Sequence, residues 1–225
     1  DAGHMLTDAM SLGLASIAAR VAQRAPSNRH SYGLRRVEAL AALVNSLFML
    51  AVVGGPQAVN RWLRRAGVSG IRMDRDIATL VRDDGEYNPA VHIDTRDAAT
   101  PRAMVRLLSG LYRGDFLSDQ SRQVLLAAMS RTVTGKRRIP AHIPLEARVS
   151  HKTGSLSNTS SDIGLIECPD GRVIAVAIYV TGQGTKLARE ERIAAIARAL
   201  YDGFAVRAQQ SPTQNWASAP YGNGG

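Results

Sequence analysis

The chain has 225 residues, of which 45% are hydrophobic and 21% charged, a composition that excludes a disordered or fibrous protein. The net charge of +9 is scattered, and the densest basic run, Gly135-Lys136-Arg137-Arg138, is too short to predict a nucleic-acid partner. The single cysteine, Cys168, excludes an intrachain disulfide and a cysteine-based metal site, and its place at the end of a predicted strand indicates a small buried hydrophobe.

Residues 1–53 are helical in pattern, with apolar stretches at residues 5–22 and 37–53. The loop at residues 24–36 holds four arginines and no acidic residue, a bias typical of cytoplasmic loops, and the second stretch is just long enough for a membrane span. Two interpretations stay open, a pair of membrane helices or a buried helical hairpin of a soluble protein. No secretory signal opens the chain, so a truncated or processed N-terminus is expected.

From Gly54 the pattern changes to that of a soluble mixed domain. A helix is predicted over residues 54–65, because the glycines break the chain and Pro56 suits a first helical turn. Residues 71–100 are rich in Asp and Gly and predict a long loop with at most one short helix. Two more helices are predicted at residues 101–112 and, after the capping residue Ser118, up to about residue 131.

The C-terminal half predicts strands and a final helix. Three strand-like runs occur at residues 148–152, 162–167 and 173–180. Asp170-Gly171 predicts a hairpin between the last two runs, and a helix is predicted at residues 190–204. The predicted fold class is therefore α+β, an antiparallel sheet with packed helices over residues 54–207 that follows an α-helical hairpin over residues 1–53. Residues 208–225 predict a disordered tail.

The sharpest motif is Ser150-His151-Lys152-Thr153-Gly154-Ser155. A bare Lys-Thr-Gly triplet is weak, since it also fits a solvent-exposed lysine beside a tight turn. Here it lies at the end of a predicted strand and leads through Asn158 and Asp162 into the next strand. This setting favours a binding or catalytic role for the motif.

Several further segments, taken together with this motif, resemble class A β-lactamase-type serine hydrolases over residues 54–205. The matching segments are Gly54-Gly55-Pro56, Arg61-Trp62-Leu63-Arg64, Met73-Asp74-Arg75 (where the family's Ω-loop begins), Arg96-Asp97-Ala98-Ala99-Thr100-Pro101, Leu117-Ser118, Lys152-Thr153-Gly154 and the Asp-Gly hairpin. The resemblance implies that Lys152 lies beside the substrate carboxylate, that the Thr153 hydroxyl bonds that carboxylate, and that Gly154 leaves room for substrate. It also implies that the Ser155 N–H is one of two oxyanion donors, and it implies no cofactor.

The chain departs from the family pattern at three points. None of its serines has a lysine three residues later, so the nucleophile motif Ser-x-x-Lys is absent from the sequence. The segment that should hold Ser-Asp-Asn reads Ala41-Ala42-Leu43, and an ungapped count puts the Ω-loop glutamate at Ile77. Glu86, with Asp83 and Asp84 nearby, replaces that glutamate only if the loop is rebuilt. Acyl transfer needs nucleophile, base and oxyanion site together, so this chain alone is expected to be inactive.

The N-terminal stretch carries a second candidate site. His4 and Asp8 are four residues apart, so a helix presents both on one face, where they can share a divalent metal such as zinc. A surface His–Asp pair is the plainer interpretation. The string from Asp1 to Ala9, with Ser31-Tyr32-Gly33-Leu34-Arg35-Arg36 and Ala41-Ala42-Leu43-Val44-Asn45, resembles cation diffusion facilitator transporters over residues 1 to about 53. This resemblance implies zinc ligation by His4 and Asp8 and membrane association.

Three functions compete at this point. The first is a β-lactamase-like serine hydrolase domain with an incomplete active site, the second is a fragment of a zinc transporter, and the third is a non-catalytic module that binds a carboxylate ligand at Lys152. Both resemblances meet at residues 52–55, which predicts a fusion of two gene fragments. The expected small-molecule partner is a β-lactam or another carboxylate, and the compartment follows only by resemblance, membrane or periplasm.

Overall fold

The computed structural model describes residues 54–209, which divide into two compact units. The first contains residues 54–87 and 93–103, and the second contains residues 88–92 and 104–209. The predicted hairpin at residues 1–53, with His4 and Asp8, lies outside the described residues, as do residues 210–225. None of the helices between residues 54 and 209 combines the length and apolar character that a membrane span requires.

The first unit is built on helix α1, Gly55–Arg65, and on a long loop with one short helix, α2, Ile77–Asp83. Gly54 precedes α1 with φ 98°, a conformation that favours glycine, and Gly67 closes the helix at φ 72°. Asp76 caps α2, because its carboxylate accepts a hydrogen bond from Thr79 N. The predicted helix at residues 54–65 and the loop-rich segment at residues 71–100 are both confirmed.

Helix α3, Pro101–Arg113, begins in the first unit and continues into the second, and α4, Asp119–Ser130, follows it. Ser118 Oγ accepts a hydrogen bond from Ser121 N, which confirms the predicted cap. A β-carbon at Gly110 would lie 2.2 Å from the Phe116 ring, so only glycine lets that ring lie on α3.

The second unit contains an antiparallel sheet in the order β1–β2–β3, with strands Arg148–Leu156, Thr159–Glu167 and Val173–Thr181. One face packs on helix α5, Lys186–Gln209, and on a 3₁₀ helix, Ile139–His142. Alternate residues of β2 and β3 point into this core, as period-two strands require. The buried core residues are Ile139, Ile143, Ala147, Ile166, Cys168, Ile174, Val176, Ile178, Val180, Ile193 and Ala197.

Three boundaries differ from the sequence predictions. β1 runs on to Leu156 and β2 starts at Thr159, so the Lys-Thr-Gly motif lies inside a strand and not at its end. The cause is the turn between them, where Asn158 adopts φ 52° and closes a tight hairpin that the residue pattern did not reveal. Helix α5 starts four residues early and extends to Gln209, two residues into the predicted tail.

The Asp170-Gly171 hairpin is confirmed, with Gly171 at φ 86°. Cys168 is buried beside it, as predicted, and burial raises the pKa of its thiol. A raised pKa keeps the thiol protonated at neutral pH, which favours an inert structural role.

Candidate functional site

The motif residues Lys152–Ser155 lie in sequence along β1, opposite residues 160–163 of β2. Because successive side chains of a strand point to opposite faces, Lys152 and Gly154 share one face while Thr153 and Ser155 share the other. Lys152 and Ser155 are exposed, and Thr153 is half-buried. The four predicted residues therefore share a strand but do not share a face.

The outer backbone edge of β1 is turned toward residues 132–138. The carbonyl of His151 accepts a hydrogen bond from Thr132 Oγ1 at 2.8 Å, so this carbonyl points away from β2. In an antiparallel ladder the outward groups recur every second residue. The backbone N–H groups of Thr153 and Ser155 consequently face the same edge.

Thr134 and Gly135 contact the motif from outside this edge. Thr134 Oγ1 lies 2.9 Å from Thr153 Oγ1, which fixes the orientation of the Thr153 hydroxyl. A β-carbon at Gly135, where φ is 67°, would lie 2.3 Å from Thr153 Cγ2. Glycine is therefore required for the loop to approach the motif this closely.

Arg138 holds the last two residues of the motif, Gly154 and Ser155, through hydrogen bonds. Its side chain is only 2% exposed and donates to Ser155 Oγ at 2.5 Å, to the Gly154 carbonyl at 2.8 Å and to the Ser161 carbonyl at 2.7 Å. Glu190 Oε1 of α5 lies 3.4 Å from the same guanidinium. A planar guanidinium suits this bridging task because its donors are fixed in one fork.

A second buried polar pair lies under the strand. His151 Nδ1 is 2.9 Å from both carboxylate oxygens of Asp162, and the two side chains are 4% and 0% exposed. Asp162 Oδ2 also accepts a hydrogen bond from Ile139 N at 3.1 Å. The pair ties β1, β2 and the 3₁₀ helix together on the face of β1 that carries Thr153, opposite the face that carries Lys152.

Lys152 carries the exposed positive charge of the motif. Its Nζ donates to the Thr153 carbonyl at 2.6 Å, while its other donors remain able to meet a ligand. Arg138, the other cation near the motif, is buried and paired with Glu190, so the exposed charge at the motif is that of Lys152. This arrangement suits a ligand that carries a carboxylate.

The β1–β2 hairpin tip is held by Arg189 of α5. The Arg189 guanidinium donates to Ser160 Oγ, Asn158 Oδ1 and the Gly182 carbonyl, at 3.1–3.3 Å. Asn158 Nδ2 in turn donates to Asn88 Oδ1 at 2.7 Å. Residues 88–92 of the long loop are thereby tied to the tip of the sheet.

In the first unit the two loop segments singled out in the sequence meet at Arg75. Its guanidinium binds Asp97 at 2.7 Å, Asp83 at 3.3 Å and Asp94 at 3.5 Å. Asp97 Oδ1 also accepts the N–H groups of Asp74 and Arg75. These ion pairs join the two ends of the stretch from Arg75 to Asp97, and this cluster is called the neck of the loop.

Two carboxylates of this cluster have lowered pKa values. The Arg96 guanidinium holds the pKa of Asp94 well below its usual range, and Arg82 followed by Arg75 lowers the pKa of Asp83. A carboxyl whose folded pKa is lowered stabilises the fold above its unfolded pKa of about 3.9. That contribution is lost as the pH falls through the lowered folded values.

Replacing Asp97 with alanine should destabilise the chain, because Arg75 loses its closest partner and two backbone N–H groups lose their acceptor. The side chains of the pair are 12% and 11% exposed, and breaking so enclosed a pair should lower the free energy of unfolding by about 3 kcal/mol. Urea unfolding followed by circular dichroism measures the change. Asp202→Ala, which breaks the exposed Arg198–Asp202 pair, is the control and should cost about 0.5 kcal/mol. Equal losses for the two variants would contradict the neck role.

The structure also shows where the residues considered for the role of the Ω-loop glutamate lie. Ile77, at the position counted for the Ω-loop glutamate, is the first residue of α2. Asp83 is engaged by Arg75 and Arg82, and Glu86 lies 3.6 Å from Arg96. Asp84 is the C-cap residue of α2 and is exposed.

Among the described residues no three His, Cys, Asp or Glu side chains are grouped so as to hold a metal ion. The predicted zinc ligands His4 and Asp8 lie outside those residues. A cavity of about 560 Å³ lies between α1 and residues 67–74, and Gln57, Asn60, Arg64 and Arg72 are among its lining residues. No predicted site residue lines it.

Sequence reasoning missed Arg138, Thr134 and the His151–Asp162 pair. Arg138 was visible only as part of the short basic run at residues 135–138. Thr134 carried no signal, because its role depends on the loop lying beside β1. The sequence places Asp162 at the start of the next strand, but its pairing with His151 depends on the strand register.

Two family models match the sequence. The beta-lactamase enzyme family matches residues 45–204, and the cation efflux transmembrane domain matches residues 1–56. The two matches overlap at residues 45–56. This overlap includes residues 52–55, where both resemblances met in the sequence.

Individual relatives and structures agree with the first match. Beta-lactamase CTX-M-25 of Escherichia coli is 33% identical over 159 residues, which are 69% of this chain and 52% of that protein. The carbapenem-hydrolyzing beta-lactamase KPC of Klebsiella oxytoca is 31% identical over 165 residues, 72% of this chain and 54% of that protein. An ancestral class A beta-lactamase is 36% identical with a TM-score of 0.63, over 71% of this chain and 59% of that structure. The chain thus spans about half the length of these curated relatives.

Proposed function

The chain belongs to the beta-lactamase enzyme family through residues 45–204, and we propose that its β1 edge binds β-lactam carboxylates without hydrolysing them in this chain alone. The observation that carries the proposal is the outer edge of β1. There the Thr153 hydroxyl is oriented by Thr134, the Ser155 hydroxyl is held by Arg138, and the Lys152 ammonium is exposed.

The residues divide the recognition of a carboxylate among them. Lys152 supplies a charge-assisted hydrogen bond, and the Thr153 hydroxyl donates a second one. The outward N–H of Ser155 is one donor for a carbonyl oxygen that becomes negative during acyl transfer. Gly154 serves packing within the sheet, since a β-carbon there would lie 2.5 Å from Ser161 Oγ. This part of the chain needs no cofactor for the proposed binding.

The absence of turnover follows from the sequence of this chain. It contains no Ser-x-x-Lys, and residues 41–43 read Ala-Ala-Leu where Ser-Asp-Asn is expected. Without a nucleophile and its base, oriented binding cannot lead to a covalent acyl-enzyme. The chain therefore keeps the residues proposed to bind the ligand carboxylate but has no family-type nucleophile to attack the β-lactam carbonyl.

The test combines turnover and binding of one chromogenic cephalosporin by the purified 225-residue chain. We expect no hydrolysis above the buffer rate and saturable binding in calorimetry. Lys152→Ala should weaken binding about tenfold, the value of one charge-assisted hydrogen bond. Lys136→Ala removes the same charge from an exposed position nearby and should leave the affinity within about twofold, because distant surface charges are screened.

Two outcomes contradict the proposal. Turnover that Lys152→Ala abolishes would mean that the chain holds a nucleophile outside the family motif. Binding that Lys152→Ala and Lys136→Ala weaken equally would mean that the ligand responds to net charge and not to the β1 edge.

A separate role is proposed for the N-terminal segment, since the cation efflux transmembrane domain matches residues 1–56. His4 and Asp8 would supply two zinc ligands on one helix face, and further ligands would have to come from another polypeptide segment, because structural zinc sites use four. We propose that the chain joins two gene fragments, with membrane association residing in residues 1–53. Zinc binding by the full chain that is lost in His4→Ala and kept in His30→Ala would support this role, and equal loss in both variants would oppose it.

A further inference from the structure

Helix α1 has a strongly basic sequence. It reads GPQAVNRWLRR and contains three arginines but no aspartate or glutamate. Arg61, Arg64 and Arg65 are three and four positions apart, so they share one side of the helix, whereas Leu63 is its buried residue. The positive charge of this side comes from the helix itself, whatever other segments pack nearby.

The three arginines are exposed, and within residues 54–209 they form no ion pair or hydrogen bond with another side chain. Asp74, which lines the same cavity as Arg64, is already bound by Arg72 at 2.5 Å. Residues 1–53 contain only three acidic residues and residues 210–225 contain none. The basic side of α1 therefore has a large excess of positive charge to offer to an anionic partner.

The position of α1 in the chain indicates which partner that is. The match to the cation efflux transmembrane domain ends at residue 56, inside the first turn of the helix. Only Gly54 separates α1 from the apolar stretch at residues 37–53, so no linker carries the helix away from that stretch. Arg61 and Arg65 lie about 9 and 15 Å along the helix from Gly55, at the usual rise per residue.

We infer that α1 lies on the surface of a membrane, where Arg61, Arg64 and Arg65 bind the phosphate groups of anionic phospholipids. The inference rests on the membrane association proposed for residues 1–53, and it assigns a lipid-binding role to residues that follow them. Guanidinium groups suit this partner, because their fixed donors bind phosphate oxygens in pairs.

Trp62 fits the same surface. It lies between Arg61 and the buried Leu63 in sequence and is 38% exposed. Tryptophan is enriched at the boundary between lipid and water, because its ring is apolar while its N–H can still meet a polar group. Short helices with a basic side and a neighbouring aromatic side chain are typical of segments that lie in this boundary.

The test uses the fluorescence of Trp62 in the full 225-residue chain. The chain has two tryptophans, so Trp216→Phe leaves Trp62 as the only one. This variant is reconstituted with vesicles of phosphatidylcholine alone, or of phosphatidylcholine and phosphatidylglycerol in equal amounts, whose acyl chains are brominated near the headgroup. We expect a shift of the emission to shorter wavelength and strong quenching in the anionic vesicles. High salt should reverse both, because it screens the attraction between surface charges.

Two matched variants show whether α1 is responsible. Replacing Arg61, Arg64 and Arg65 with glutamine should weaken the contact of α1 with the anionic surface about a hundredfold, since each basic residue contributes about fivefold. Replacing Arg131, Lys136 and Arg137 with glutamine removes the same charge from exposed positions of the second unit. That control should change the contact by no more than about twofold.

Flotation of the same samples in a density gradient tests the proposed membrane association separately. A chain that floats with neither type of vesicle contradicts that association, and the inference falls with it. A chain that floats with the vesicles while Trp62 stays unquenched in the anionic ones overturns the inference alone. Equal loss of quenching in the two triple variants would overturn it as well, because net charge would then be the cause. Binding of a DNA duplex in preference to anionic vesicles, lost only in the α1 variant, would assign this side of the helix to a nucleic acid instead.

Discussion

Replacing Asp162 with alanine is expected to lower the free energy of unfolding by about 3 kcal/mol or more, because two buried hydrogen-bonding groups lose a carboxylate acceptor. Asp162 is fully buried, and its carboxylate accepts from His151 Nδ1 and Ile139 N. Without it, the imidazole and the backbone N–H keep no acceptor in a site that water does not reach. Urea unfolding monitored by circular dichroism measures the loss.

Two companion variants show whether the pair itself is responsible. Asp162→Asn keeps one acceptor oxygen in the same place and should lose clearly less stability than the alanine variant. The double variant His151→Leu with Asp162→Leu removes both polar partners. Its loss of stability should be smaller than the sum of the losses measured for His151→Leu alone and for Asp162→Leu alone. Simple additivity would mean that the two side chains act separately.

Replacing Arg138 with methionine is expected to lower the free energy of unfolding by about 3 kcal/mol or more, because Glu190 and two carbonyl groups lose a buried cation. The same change should weaken binding of the chromogenic cephalosporin, since Ser155 loses the group that holds its hydroxyl. Urea unfolding and calorimetric binding, measured well below the unfolding transition, report the two effects separately.

Arg137→Met is the matched control, because Arg137 is the neighbouring residue and is exposed. It should change stability by less than about 0.5 kcal/mol, as surface substitutions usually do. Arg138→Lys keeps the charge without the planar fork and should recover only part of the stability. Full recovery by lysine would mean that charge alone, and not the bridging geometry, is what the strand needs.

The local elements were predictable because their signals are local. Pro56, Ser118 and Gly171 mark a helix start, a cap and a hairpin through backbone preferences that neighbouring residues alone impose. The Lys-Thr-Gly motif with its flanking segments was equally visible, and it led to the family that residues 45–204 match. The boundaries of β1 were less predictable, because the turn at Asn158 depends on a positive φ that the residue pattern did not reveal.

The support beneath the motif became visible only in the folded chain. Arg138 lies 16 residues from Gly154 and 52 from Glu190 along the sequence, and no periodicity connects positions so far apart. His151 and Asp162 become partners through the register of two strands, and Arg75 meets Asp97 only when the long loop closes. Residue identity and short spacing therefore determined the helices, the hairpin and the Lys-Thr-Gly motif. Tertiary packing decided which buried polar groups pair, because each pairing depends on contacts between distant segments.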